Sequence, residues 1–273
     1  MYIGCHISIA GGIDNAPKRA TDLGCEVMQI FTRSPQGGKT TELTLELIEK
    51  FKLEVKNCKL KATFVHTPYY INLASTNNRI CYGSVTAIRE ELERASAIGA
   101  RYVMTHLGSA KDLGLKKGVE KTIEMLDKTL NGYNGYCKLL LENSAGAGEI
   151  IGDDLKELSK IIEKVDNKNI VGICLDIQHS FASGYNWTNF EKTMQRVDKE
   201  IGFKKIKLIH ANDSLTECGS NKDRHANIGK GLIGKKPFEK ITQFAKKNNI
   251  DMILETKHDL IEKDIKLLKK MRK

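Results

Sequence analysis

Five of the seven histidines in this chain and four of its carboxylates stand at, or just beyond, the end of an apolar run. They are His66, His106, Glu142, Asp176, His179, His210, Asp223, His225 and Glu255. Nitrogen and oxygen donors gathered from several separate segments are what a multinuclear metal site requires, because no single loop can surround more than one ion. Singly, each has an ordinary explanation: a histidine there can be a hydrogen-bonded loop residue, and a carboxylate can cap the next helix. Six consecutive runs, however, finish in a potential ligand: His66, His106, Glu142, Asp176, His210 and Glu255. Carboxylates collected on one rim would repel one another and be costly to desolvate, and cations are the simplest remedy. In LDIQHS, Asp176 and His179 are three apart on a turn, so they can face neighbouring ions. In DRH, Asp223 and His225 flank Arg224 in an extended segment, which puts the pair on one side and Arg224 on the other.

The elements that must position these groups alternate. Strand-length apolar runs occur at Tyr2 to Ile9, Cys25 to Thr32, Ala62 to His66, Tyr102 to His106, Lys138 to Glu142, Val171 to Asp176, Ile206 to His210 and Met252 to Glu255. Between them lie stretches with apolar residues at three and four spacing, such as Leu45, Ile48, Phe51 and Leu53 to Val55, or Leu155, Leu158, Ile161 and Ile162. Near-continuous apolar strands separated by amphipathic helices indicate a parallel sheet covered on its outside, and eight such units close into an α/β (β/α)8 TIM barrel. Residues 1–273 read as one barrel domain, with the donors at the C-terminal ends of the strands; a doubly wound open sheet is the alternative. Ala211 to Gly234 far exceeds the roughly 2 to 6 residues usual for a βα loop, and long loops at that end of a barrel build active sites.

The formal charge of +10, from 44 basic and 34 acidic residues, favours a partner bearing phosphate, although the lysines are spread along the whole chain. Seven cysteines without a C-x-x-C pair read as reduced, inert thiols, so the metal site is expected to be sulfur-free. No apolar run approaches the roughly 20 residues that span a bilayer, and MYIGCHISIA reads as a buried strand better than as a secretory signal. A cytoplasmic, monomeric protein with no membrane attachment is expected.

The runs GCHISIAGG, HTPYYINLAS, THLGS, LENSAG, LDIQHSFASGY, HANDS, DRHANIGKG and ILET resemble, in order and over nearly the whole chain, the endonuclease IV family of apurinic/apyrimidinic DNA repair endonucleases. That resemblance implies three zinc ions per chain. His66, His106 and Glu142 would hold the first. Glu142 would also reach the second, completed by Asp176, His210 and Glu255, and His179, Asp223 and His225 would hold the third. Manganese or iron suits the same donors. Three divalent ions against four carboxylates leave a charge of about +2, which favours a phosphodiester and its transition state, with a water polarised by the ions as nucleophile.

The resemblance further implies a double-stranded DNA partner containing abasic sites or blocked 3′ ends. Cleavage would fall 5′ to the abasic site, leaving a 3′-hydroxyl and a 5′-deoxyribose phosphate, with 3′-phosphodiesterase activity besides. Glu142 is the central catalytic candidate. Tyr69 and Tyr70 are candidates to wedge into the duplex and fill the gap. Asn72, Ser109, Asn143, Asn212 and Arg224 are candidate phosphate or sugar contacts. Where the family has a duplex-penetrating arginine, this chain has Gln36 in FTRSPQGG, with Arg33 as a possible substitute. Gly229 to Gly234 matches G-x-G-x-x-G, but Lys236 stands where a P-loop needs Ser or Thr, so a nucleotide loop is not expected. The main rival is a sugar isomerase or epimerase, for which Glu142, Asp176, His210 and Glu255 alone would suffice. A non-enzymatic zinc scaffold is disfavoured by the absence of cysteine ligands.

Overall fold

A computed structural model describes residues 1–38 and 40–273. Among them, eight strands run parallel: β1 (Ile3–His6), β2 (Val27–Ile30), β3 (Thr63–His66), β4 (Tyr102–Thr105), β5 (Lys138–Glu142), β6 (Ile170–Asp176), β7 (Ile206–His210) and β10 (Asp251–Leu254). They close in the order β1-β10-β7-β6-β5-β4-β3-β2. This is the (β/α)8 barrel that the alternation implied. The two-residue strands β8 (Asp213–Ser214) and β9 (His225–Ala226) form a separate antiparallel ladder inside the long segment after β7.

Closure gives every barrel strand two environments, and the period of two assigns them. Outward residues pack under the helices in one large core, while Val27, Ala62, Phe64, Met104, Leu140, Cys174, Leu208 and Ile253 form a second cluster inside the barrel. Seven of these come one from each strand except β1, with Ala62 just before β3. β1 contributes Gly4, whose added Cβ would lie 1.7 Å from the Val27 carbonyl oxygen. The barrel interior is therefore packed, and its floor is apolar.

The outer helices are α1 (Ala16–Asp22), α2 (Leu45–Asn57), α3 (Asn78–Ala97), α4 (Leu115–Leu130), α5 (Leu155–Val165), α7 (Phe190–Glu200), α8 (Lys235–Lys247) and α9 (Ile261–Arg272). Their starts are chemically marked: the side chains of Thr44, Asn77 and Asp154 accept from first-turn N–H groups of α2, α3 and α5. Pro237 sits in the first turn of α8, where a missing N–H costs nothing. The short α6 (Ile177–Ala182) leaves β6 directly and begins on Asp176, whose Oδ1 accepts from His179 N at 2.7 Å. One expectation narrows: the first two strands, Ile3–His6 and Val27–Ile30, are shorter than their apolar runs. Leu45 and Leu53 of α2 are exposed, and Ile48 and Phe51 carry its packing. Among the described residues no helix is long and apolar enough to cross a membrane.

Candidate metal centre

Two residues beyond the inner apolar layer, the same face of each strand reaches the mouth. The pairs are Gly4 and His6, Val27 and Gln29, Phe64 and His66, Met104 and His106, Leu140 and Glu142, Cys174 and Asp176, Leu208 and His210, and Ile253 and Glu255. A pleated strand alternates faces, so this spacing aims a polar residue into the mouth directly above a hydrophobic floor. Eight polar side chains, one per strand, thus form a ring.

Within and beside the ring the donors fall into three groups, each with its atoms within 4.8 Å of one another: His66, His106 and Glu142; Glu142, Asp176, His210 and Glu255; and Asp176, His179 and His225. Glu142 joins the first two. Its Oε2 lies 2.8 Å from His66 Nε2 and 3.6 Å from His106 Nε2, and its Oε1 lies 2.7 Å from His210 Nδ1. His210 Nδ1 is also 3.2 Å from Glu255 Oε2 and 3.8 Å from Asp176 Oδ2. In the third group His179 Nε2 and His225 Nε2 face each other at 3.4 Å. Asp223 divides its two oxygens between them, at 3.3 Å from His179 and 3.2 Å from His225. That division, on a half-exposed loop, leaves it outside the tightest grouping, which Asp176 enters instead.

Outer hydrogen bonds select which ring nitrogen faces the centre. His66 Nδ1 donates to the Thr67 carbonyl at 2.7 Å and His179 Nδ1 to the Asn143 carbonyl at 3.0 Å, which turns both Nε2 atoms inward as the nitrogens a cation would meet. For His210 the order is reversed, since Nε2 pairs with Gln29 Oε1 at 2.7 Å and Nδ1 faces the carboxylates. Imidazoles pinned on the far nitrogen are oriented as ligands. The carboxylates are held likewise: Asn212 Nδ2 donates to Asp176 Oδ2 at 2.7 Å, and Asn212 Oδ1 accepts from Glu255 N at 2.8 Å.

The electrostatics fit a cation. Glu142, Asp176 and Glu255 lie with their oxygens within 4.8 Å of one another, and the first two are fully buried. At an effective dielectric of about 20, two like unit charges that close repel by roughly 3 kcal/mol. Burial pushes the Glu142 carboxyl up, but the imidazoles of His210, His106 and His66 outweigh it and hold it well below the usual range. Glu255, also opposed by burial, falls to about 2 through His210. Asp176 is raised, because burial wins there. The histidines answer in kind. Despite burial, Asp176 and Asp223 lift His179 to about 10, Glu142 lifts His66, and Cys174 and Glu142 lift His210. His106, where burial dominates, drops to about 4. Imidazolium protons occupy the positions where a cation would neutralise the carboxylates. The donor set of nitrogen and oxygen, free of sulfur, suits zinc, manganese or iron.

The remaining candidates separate. Tyr69 and Tyr70 stand exposed at the rim, with Tyr69 edge-on to Phe31 at a centroid distance of 5.3 Å. Gln36 is exposed on the neighbouring turn, and Arg224 is exposed beside Asp223. Arg33 does not substitute for a duplex-penetrating arginine: it is buried, with Nε on Glu91 and Nη1 on Glu90 at 2.9 Å, so its guanidinium is anchored to α3. Asn143 and Asn212 are fully buried and act on Asp176 and Glu255, not on an exposed ligand surface. Asn72 and Ser109 tie two mouth loops together, Asn72 Oδ1 accepting from Ser109 N at 3.2 Å and from Ala74 N at 3.1 Å.

Two residues escaped sequence reasoning. Gln29 signalled itself only by interrupting an apolar run. Asp213 is buried, and its carboxylate accepts from the N–H groups of Ser214, Gly229, Gly231, Ile233 and Gly234. The glycine-rich run therefore does wrap an anion, but the anion is the protein's own carboxylate. The seven cysteines are free, and Cys5, Cys25, Cys81, Cys137 and Cys174 are buried.

Fold and mouth together define a barrel of the xylose isomerase-like class, and the family model of that description, "Xylose isomerase-like TIM barrel", matches residues 17–271. Within that class, a protein named "Probable endonuclease 4" from Halothermothrix orenii is 38% identical, with 100% of both chains covered. The chain belongs to the endonuclease IV family. The crystal structure of endonuclease IV from Thermus thermophilus superposes with a TM-score of 0.87 at 29% identity, covering 100% of this chain and 98% of the other. A D-tagatose 3-epimerase-like protein matches at a TM-score of 0.76 and 22% identity over 99% and 97% of the two chains, a likeness of fold alone.

Proposed function

We propose that this protein is a metal-dependent DNA repair endonuclease that hydrolyses the phosphodiester 5′ to abasic sites, leaving a 3′-hydroxyl and a 5′-deoxyribose phosphate, and that also removes blocked 3′ ends. The observation that carries this reading is the set of three adjoining donor groups at the mouth of a barrel that matches an endonuclease IV relative over 100% of both chains. His66, His106 and Glu142 would hold one zinc ion, Glu142, Asp176, His210 and Glu255 a second, and His179, Asp223 and His225, with Asp176 in reach, a third; manganese or iron could take their place. Such cations, when bound, supply Lewis acidity and a positive field for the phosphodiester and its more highly charged transition state.

The chain's own groups account for the rest. Glu142 offers one oxygen to each of two donor groups and so sets their spacing. Asn143, Asn212 and Gln29 hold donors in orientation. The apolar layer beneath the ring keeps bulk water from the underside and raises the strength of every charge interaction above it. The mouth opens into a cavity of about 690 Å³ that includes His6, Phe31, Tyr69, Glu255 and His258 in its lining. That is room for a nucleotide swung out of a helix, which an abasic site permits at low cost because no base is there to unpair. Tyr69, Tyr70 and Gln36 stand where a duplex would meet the rim and would fill the space left behind. Arg224 would contact backbone phosphate, and the net charge of +10 favours association with DNA generally.

The test is an incision assay on a duplex with one abasic site, run beside metal analysis of the purified protein. About three metals per chain with a single cut on the 5′ side supports the reading. One metal per chain with turnover of a ketose and no incision would replace it with the epimerase chemistry, for which Glu142, Asp176, His210 and Glu255 alone would serve.

A further inference from the structure

Six of the eight ring residues belong to the donor groups. The other two, His6 and Gln29, are register partners on the adjacent strands β1 and β2. Gln29 is fully buried and makes three contacts: Oε1 to His210 Nε2 at 2.7 Å, and Nε2 to Glu255 Oε1 at 2.6 Å and to His6 Nδ1 at 3.0 Å. These contacts can be satisfied in only one way. An ionised carboxylate can only accept, so the Gln29 atom facing Glu255 is the NH2 group. Its carbonyl therefore faces His210, whose Nε2 must carry the proton. The second amide hydrogen points at His6, whose Nδ1 must offer a lone pair. A neutral His6 then carries its proton on Nε2. That nitrogen has no partner among the described residues, and the ring, tilted against Phe31 at a centroid distance of 4.5 Å, lines the cavity.

We propose that Gln29 is a positioning residue that sets the tautomers of two imidazoles at once, and that His6 thereby presents Nε2–H to the cavity as a neutral donor to a phosphate oxygen of the damaged strand. The arrangement links the orientation of His210 to the presentation of substrate through one side chain. It rests on the phosphodiesterase reading above. A neutral donor suits this place: beside the donor groups a second fixed cation would compete with them for the carboxylates, whereas an N–H strengthens toward a charged oxygen without that cost.

The test begins with 15N-histidine NMR of the wild-type protein freed of metal, in which His6 is expected as the Nε2-protonated tautomer; protonation on Nδ1 overturns the proposal. His6→Phe keeps the ring on Phe31 and removes the donor. It is expected to raise KM for an abasic-site duplex about tenfold or more, with the metal content of the wild type, and His6→Gln, which restores an N–H at similar reach, is expected to recover most of the loss. Wild-type KM in His6→Phe refutes the role. Gln29→Leu is expected to raise KM and also to lower the zinc retained after dialysis; full retention with unchanged KM refutes it, and if that variant fails to fold the first two measurements still decide. A wild-type protein that neither holds metal nor incises would sink the proposed function instead, and the tautomer would then still stand or fall by itself.

Discussion

Replacing Glu142 by glutamine tests the centre at the point where two donor groups share one residue. The substitution keeps volume and removes the charge. Oε1 stands 2.7 Å from His210 Nδ1 and Oε2 2.8 Å from His66 Nε2, with Glu142 fully buried. At an effective dielectric of about 20, a unit charge pair at the shorter distance attracts by roughly 6 kcal/mol, and removing one partner of a buried pair costs about 3 to 5 kcal/mol net. Carried over to a bound cation, that loss weakens retention by roughly two to four powers of ten. An amide also turns one N–H toward an imidazole nitrogen that must keep its lone pair. Metal content of dialysed Glu142→Gln, measured by atomic emission, is expected to fall below that of the wild type. Incision of an abasic-site duplex is expected to fall below detection, while binding of the same duplex persists because the rim residues are untouched. Glu142→Gln that keeps its full metal content and cuts at the wild-type rate would refute the assignment of Glu142 as the shared ligand.

Other expectations are narrower. Tyr69→Ala should reduce the preference for abasic over intact duplex, since an exposed ring is lost and no core contact goes with it; competition binding with the two duplexes measures this, and an unchanged ratio returns Tyr69 to a packing role. In chelator-treated protein, His179, raised to about 10, contributes stability that is present below 6.5 and is lost as pH rises through 10. His106, lowered to about 4, contributes the opposite, with stability lost as pH falls from 6.5 through 4. The Tm of the metal-free form should therefore peak near neutrality, and the alkaline limb should flatten when metal is restored; a Tm rising steadily to pH 10 without metal would contradict the imidazolium account. Asp213→Ala leaves the N–H groups of Gly229, Gly231 and Ile233 without their acceptor. It should cost about 3 kcal/mol or more, seen as a Tm drop of roughly 6 to 12 °C, and a drop within error would mean water replaces the carboxylate. Gly4→Ala, with its Cβ 1.7 Å from the Val27 carbonyl, should prevent normal barrel closure, read as loss of soluble, folded protein by circular dichroism.

The chain's local chemistry determined a good deal by itself. Apolar runs of strand length, six of the eight ending in His, Asp or Glu, declare both the repeat and the end of the barrel at which chemistry belongs. Parity along a strand is a local property: because faces alternate, Leu140 two before Glu142 and Leu208 two before His210 already imply that floor and ligand share a side. The amphipathic pattern of α5 likewise survives in the structure, since Leu155, Leu158 and Ile161 are buried. Donor identity was legible because few residue types can ligate a hard or borderline cation.

What the chain alone could not decide is which residues meet across the barrel. Gln29 and His210 are 181 residues apart, and only closure brings their side chains to 2.7 Å. Nothing in IFTRSP distinguishes an arginine free to reach DNA from one held by Glu90 and Glu91, because its partners come from a helix more than fifty residues on. Lys236, just after the G-x-G-x-x-G match of Gly229 to Gly234, argued against a nucleotide loop, but only the tertiary structure shows that the run wraps the carboxylate of Asp213. Sequence specifies each strand's faces within a few residues, whereas the tilt and stagger that close eight strands determine which of those faces converge, and that is a property of the whole sheet.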